Sequence, residues 1–184
     1  MMCISAGGAM VVGKKYSASN FMKWIRKYGV TICFATMAAW TFKQPESPLD
    51  QQHKLKFMMF GQFPHELQRP FEERFNVPLR AGYGMTESGP ATAISIENAK
   101  MSGSGSVGQL SELREARIVD DMGNDVPRGE IGELLLKGPG MMTGYYKNPK
   151  ATAETLVDGW LYTGDLFRID EDGYYYIVGR KKEM

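Results

Sequence analysis

The order in which apolar runs alternate with helical patterns is the strongest constraint on the fold of this chain. In its first half three short, mainly apolar runs, residues 30–35, 55–60 and 77–81, are separated by stretches with helical spacing. A further small and apolar run, residues 9–12, precedes them. Phe21, Trp24, Ile25 and Tyr28 recur at i, i+3, i+4 and i+7, after Ser17 or Ser19 as N-cap and before Gly29 as terminator. A short helix through Trp40 follows the first run. Pro64 opens another helix with Leu67, Phe71 and Phe75 on one face, which Pro70 is expected to kink or split. Strand, helix, strand, helix, strand argues for a mostly parallel sheet with flanking helices, an α/β arrangement. Ligands of such sheets lie beyond the carboxyl ends of the strands. Two of these ends run into glycine: Phe60 into Gly61, Gln62 and Phe63, and Ala81 into Gly82, Tyr83, Gly84, Met85, Thr86 and Glu87.

After about residue 101 the pattern changes to short alternating runs divided by Asp, Gly and Asn. Residues 115–119 and 132–137 flank one turn region, and residues 161–169 and 174–178 flank a hairpin turn at Asp172-Gly173. The expected organisation is an α/β part over residues 1–104 and a small antiparallel β-barrel over residues 105–180.

Charge and composition narrow the function classes. With 22 Lys and Arg against 21 Asp and Glu the net charge is +1, so no overall field gathers nucleic acid or an anionic membrane. Cys3, Cys33, His53 and His65 are too few and too scattered for a zinc site or a disulfide framework, and a reducing, cytoplasmic setting is expected. The longest uncharged apolar stretch, residues 30–42, is 13 residues, short of the ~18 that a transmembrane helix needs. No basic residue precedes the small and apolar residues 1–12, so they do not read as a secretory signal.

Gly103-Ser104-Gly105-Ser106-Val107-Gly108 matches the dinucleotide fingerprint GxGxxG, but polar sequence precedes it and β-patterned sequence follows, so it reads as a connector. Tyr83-Gly84-Met85-Thr86-Glu87 carries more chemistry. Its glycines admit close backbone approach, Tyr83 can stack on a base, Thr86 can donate to a phosphate oxygen and Glu87 is a hard ligand for Mg²⁺. The plainer reading is a strand-to-helix turn capped by Thr86 or Ser88, and the pentapeptide alone supports both. Asp165, after an aromatic strand and Gly164, is suited to accept two ribose hydroxyls, or else marks an acidic bend. Arg180, in the basic cluster that follows Gly179, can reach a ribose or a phosphate.

Taken in order, these segments resemble the adenylate-forming enzymes, which include acyl-CoA synthetases, the firefly luciferase family and adenylation domains of peptide synthetases. The resemblance covers nearly the whole chain. It rests on residues 82–87, residues 129–146 with Gly132-Glu133-Leu134 and Gly144-Tyr145-Tyr146, residues 159–165, and Ile177-Val178-Gly179-Arg180-Lys181-Lys182. It implies an enzyme that makes an acyl-adenylate from a carboxylic acid and ATP and passes the acyl group to CoA. Carried over residue by residue, Tyr83 with Gly82, Gly84 and Met85 lines the adenine end, Thr86 touches the α-phosphate, and Glu87 binds Mg²⁺. Asp165 and Arg180, with Ile177 beside them, hold the ribose of ATP or AMP. Gly61, Gln62 and Phe63 stand where the family has a second glycine-rich loop flanking the adenine, although Gln62 and Phe63 depart from its usual small residues. The small residues Gly89, Ala91, Thr92 and Ala93 suit the wall of an acyl tunnel. Lys182, within residues 181–184, corresponds to the family's hinge to a small C-terminal domain.

The family's phosphate-gripping loop and its catalytic lysine are not matched within these residues. The resemblance therefore implies a part of the large domain, inactive by itself, whose partner would be the missing C-terminal domain. Two other readings share the motifs: an amino-acid adenylation domain of a peptide synthetase, and a nucleotide-binding scaffold without catalysis.

Overall fold

The structure, a computed structural model, describes residues 6–34, 37–61 and 63–183. The chain divides into two compact units, Met1–Leu79 and Arg80–Met184; residue 104, where the sequence pattern changes, falls inside the second.

In the first unit helix α1 (Ala18–Lys27) starts at Ser17, whose extended backbone lets its carbonyl accept from the Asn20 and Phe21 amides. Its buried side chains are Met22 and Ile25, while Tyr28 is exposed, so the apolar stripe sits one position round from the expected one. β1 (Ile32–Phe34) and β2 (Phe57–Phe60) pair in parallel, Cys33 opposite Met58, with the short helix α2 (Ala38–Phe42) between them in sequence. The strand starts at Ile32 rather than at Val30, and Ala35 lies outside the described residues. Helix α3 (His65–Phe75) is unbroken through Pro70, against the expected kink or split. Phe71 and Phe75 are fully buried on its inner face, and that packing holds the helix across the missing amide. Residues 9–12 form no strand; Met10, Val11 and Val12 are exposed.

The polar loop before β2 has an internal organiser that its composition did not reveal. Arg74 donates through Nε to Asp50 Oδ2 at 2.7 Å and through its terminal nitrogens to the carbonyls of Phe42, Gln44 and Pro45. With both charged side chains about nine-tenths buried, the guanidinium meets nearly every donor requirement that burial imposes.

The second unit is an antiparallel sheet. Its strands are β3 (Leu79–Met85), β4 (Gly89–Ala93), β5 (Gly108–Leu110), β6 (Glu115–Val119), β7 (Gly132–Lys137), β8 (Leu156–Val157), β9 (Trp160–Ile169) and β10 (Tyr174–Arg180). A short helix α4 (Pro149–Thr155) precedes β8. The lateral order is β3-β4-β5-β10-β9-β7-β6, with β8 beside β9. Both sequence-expected hairpins are present, β6–β7 and β9–β10. Among the described residues the sheet stays open and does not close into the expected barrel. Its core gathers Ala91, Val107, Ile118, Leu134, Leu136, Leu161, Phe167 and Tyr175.

β1 pairs with β2 in parallel, as expected of the first-half runs, and β3 pairs with β4 antiparallel through residues 82–85. The third strand runs further than expected. Gly82, Tyr83, Gly84 and Met85 lie within it rather than beyond its end, and Thr86, Glu87 and Ser88 make the hairpin turn into β4 instead of capping a helix.

Candidate functional site

β9 alternates strictly, with Leu161, Thr163, Asp165 and Phe167 all buried. The period of two therefore turns a hydroxyl and a carboxylate onto the same face as two core side chains. A carboxylate so placed requires partners. Asp165 has two: Tyr83 donates its hydroxyl to Oδ2 at 2.6 Å, and Arg180 donates Nε to Oδ1 at 2.7 Å. Arg180 and Asp165 are direct cross-strand neighbours. That pairing depends on an extra residue in β10, Val178, because Ile177 faces Phe167 and Gly179 already faces Leu166.

β9 bulges on its other side as well. Glu133 of β7 faces Leu166 while Leu135 faces Tyr162, so Leu134 alone stands opposite Thr163, Gly164 and Asp165. The lost ladder bonds are replaced by side chains. Thr163 Oγ1 donates to the Leu134 carbonyl at 2.7 Å and accepts the Asp165 amide at 3.1 Å, and Glu133 Oε1 accepts the Gly164 amide at 3.0 Å.

Tyr83 lies edge-on to Phe167, ring centroids 4.8 Å apart. Burial, then the hydrogen bond to Asp165, pushes its phenol well above the ordinary tyrosine range. A phenolate here would lose solvation and face a carboxylate. Because the folded state holds this proton more tightly than the unfolded chain, the stabilisation is complete below about pH 10 and is lost as pH rises beyond it. The expected result is that a difference titration of the wild type against Tyr83→Phe shows this phenol still protonated at pH values where ordinary tyrosines have ionised; ionisation near the ordinary value of about 10 would contradict the Asp165 contact.

Gly84 has a steric reason separate from any ligand: a Cβ there would stand 2.6 Å from the Gly89 carbonyl oxygen and 2.9 Å from Pro90 Cα, across the hairpin. Thr86 is exposed at the turn. Glu87 is half-buried; it accepts the Tyr145 hydroxyl on Oε1 at 2.8 Å, and its carbonyl accepts the Met142 amide at 2.8 Å. The Glu87 contact raises the Tyr145 phenol pKa. The structure thus joins Tyr83, Asp165 and Arg180 in one cluster and Glu87 with Tyr145 in a second on the same unit. Ile177, two-fifths exposed, lies on β10, and Lys182 is exposed in the single 3₁₀ turn that follows it. Ala91 and Thr92 are buried, whereas Ala93 is exposed.

Gly61 and Phe63 belong to the first unit, and Gln62 lies outside the described residues, as does Cys3. Phe63 packs on Phe60 and edge-on against Phe71, within that unit's own aromatic core.

Two residues of the site carried no individual assignment from sequence. Arg114 donates to the carbonyls of Ser88, Pro90 and Pro139, fastening the turn after Glu87 to the segment that leads to Tyr145. Glu133 was visible only as part of a Gly-Glu-Leu triplet. A buried carboxylate in a run otherwise reading Leu-Leu-Leu was the available signal.

Comparison with known proteins gives the same direction. The sequence profile described as AMP-binding enzyme matches residues 1–146. Crotonobetaine/carnitine–CoA ligases of Salmonella heidelberg (strain SL476) and Escherichia coli O9:H4 (strain HS) are each 40% identical over 194 residues, covering 100% of this chain and 37% of their own length. The chain therefore spans little more than a third of these relatives. Among solved structures, the anthranilate CoA ligase AuaEII in complex with anthranoyl-AMP superposes at a TM-score of 0.86 with 29% identity, over 97% of this chain and 35% of that one. The O-succinylbenzoate coenzyme A synthetase MenE of Bacillus subtilis, in complex with ATP and magnesium ion, gives 0.81 and 27%, over 97% and 37%. With a family profile covering most of its residues and a fold shared with both ligases, this chain belongs to the AMP-binding enzyme family.

Proposed function

We propose that the chain carries the nucleotide-binding face of an AMP-forming acid–thiol ligase. The overall reaction joins a carboxylic acid to ATP with release of pyrophosphate, and then moves the acyl group from AMP to the thiol of CoA. The single observation that carries this reading is Asp165: a buried carboxylate, oriented on both oxygens, inside a motif of a family whose relatives are CoA ligases. Each oxygen still has one lone pair, enough to accept one ribose hydroxyl apiece. Arg180, more than half exposed while bonded to Asp165, sets a positive charge beside the same ligand. The face of Tyr83 is the stacking surface for adenine, with Gly82, Gly84, Met85 and Ile177 lining it.

Attack of a carboxylate on the α-phosphorus brings two anions together, so positioning and charge neutralisation supply most of the catalysis. The Thr86 hydroxyl, exposed at the hairpin turn, donates to an α-phosphate oxygen. Among the described residues no three His, Cys, Asp or Glu side chains gather to hold a metal. Glu87 alone, with Oε1 engaged by Tyr145 and Oε2 available, fits Mg²⁺ bound mainly by phosphate oxygens and water. When bound, Mg²⁺ neutralises charge on the phosphates; the chain's part is to orient the Glu87 carboxylate through Tyr145 and the Met142 amide. Lys182 is the pivot between the two half-reactions, and 40% identity to the carnitine–CoA ligases supports CoA as acyl acceptor.

The expected result is saturable binding of a non-hydrolysable acyl-adenylate analogue to the 184-residue chain, reduced in Thr86→Ala and Arg180→Ala. Absence of saturable binding would leave a scaffold without a nucleotide site.

A further inference from the structure

Asp165 is aimed by an interruption of the sheet, and something must hold that interruption in shape. Three residues of β9 stand opposite one of β7, which leaves the Gly164 amide without a backbone partner on that side. Glu133 supplies it. Its carboxylate is divided between β9 and the turn that follows β10: Oε1 accepts the Gly164 amide at 3.0 Å, one residue before Asp165, and Oε2 accepts Lys181 Nζ at 2.9 Å, one residue after Arg180. Glu133 is 6% exposed, so this charge needs its compensation close by. Lys181 provides it, with exposed Asp121 on the same ammonium at 3.0 Å. The contacts to Glu133 and then Asp121 raise the Lys181 pKa, which keeps the cation in place across the physiological range.

We infer that Glu133 is a positioning residue for Asp165: it fixes the Thr163–Asp165 bulge from the β7 side, while Lys181 anchors its charge and ties down the end of β10 beside Arg180. Glu133 touches no nucleotide in this account and acts through Gly164 and Lys181. The inference rests on the proposed role of Asp165 for its consequence in binding, although the positioning itself is a property of the sheet.

The experiment uses the intact ¹⁵N-labelled chain and compares amide exchange in the wild type, Glu133→Ala, Glu133→Gln and Lys181→Met. The Val126 amide, bonded to the Ile118 carbonyl at 3.0 Å, serves as the reference for the general stability of the unit. In Glu133→Ala the Gly164 amide should exchange at least about tenfold faster relative to Val126, the loss of one charge-assisted hydrogen bond. Glu133→Gln, which keeps an acceptor oxygen, should stay within about threefold of wild type, and Lys181→Met should fall between. AMP affinity should follow the same order. Equal acceleration of Gly164 and Val126, unchanged Gly164 exchange in Glu133→Ala, or failure of Gln to rescue would overturn the assignment. Absence of AMP binding by the unaltered chain would defeat the nucleotide reading instead, and the exchange data would still decide for Glu133.

Discussion

Gly108→Ala should destabilise the second unit by about 3 kcal/mol or more and lower its melting temperature by roughly 6 to 12 °C. Gly108 has φ +98°, where a side chain is strained, and a Cβ built there stands 2.0 Å from the Ala93 carbonyl carbon and 2.4 Å from the Ile94 nitrogen. Those atoms are backbone of β4 and its continuation, and they cannot swing aside. Ala93 pairs with Gln109, the Gly108 amide donates to Ser106 Oγ, and Ser106 Oγ donates to the Tyr175 carbonyl, so three strands are fixed around this point. Differential scanning calorimetry decides it; a shift smaller than about 2 °C would show that the strands yield more easily than this packing allows.

Asp165→Ala should weaken AMP binding by about 10- to 100-fold, the equivalent of roughly 1.5 to 3 kcal/mol of charge-assisted hydrogen bonding. Two effects combine. The ribose loses its acceptor, and Arg180 and Tyr83 lose the carboxylate that orients them. Asp165→Asn keeps the shape yet offers one acceptor oxygen where two are used, so it should fall between Ala and wild type. Titration calorimetry of the three chains measures the order directly, and affinities within about twofold of one another would exclude Asp165 from the site.

Much of this was legible in the sequence because local chemistry dictated it. Alternation and the Asp172-Gly173 turn give the β9–β10 hairpin, where the Asp170 side chain accepts the Tyr174 amide and Gly173 takes φ +79°. What stayed hidden was pairing. Thr86 to Ser88 read equally well as a helix cap, so nothing local says that the strand runs on through residue 85 and turns back to pair antiparallel with residues 89–93. The same holds for Pro70, where burial of Phe71 and Phe75 outweighs the local helix-breaking tendency. In the candidate site, residue types singled out Tyr83, Glu87, Asp165 and Arg180 for the proposed roles, but the bulge opposite Leu134 and the Glu133 carboxylate that fills it arise from strand pairing alone.

The central claim is that the Tyr83, Asp165 and Arg180 cluster grips a ribose, and removing the ribose hydroxyls from the ligand tests it without altering the protein. The wild-type chain titrated with AMP and with 2′,3′-dideoxy-AMP should bind AMP at least about tenfold more tightly, since the two share base and phosphate and differ only in the groups assigned to Asp165. Equal affinities would contradict the account.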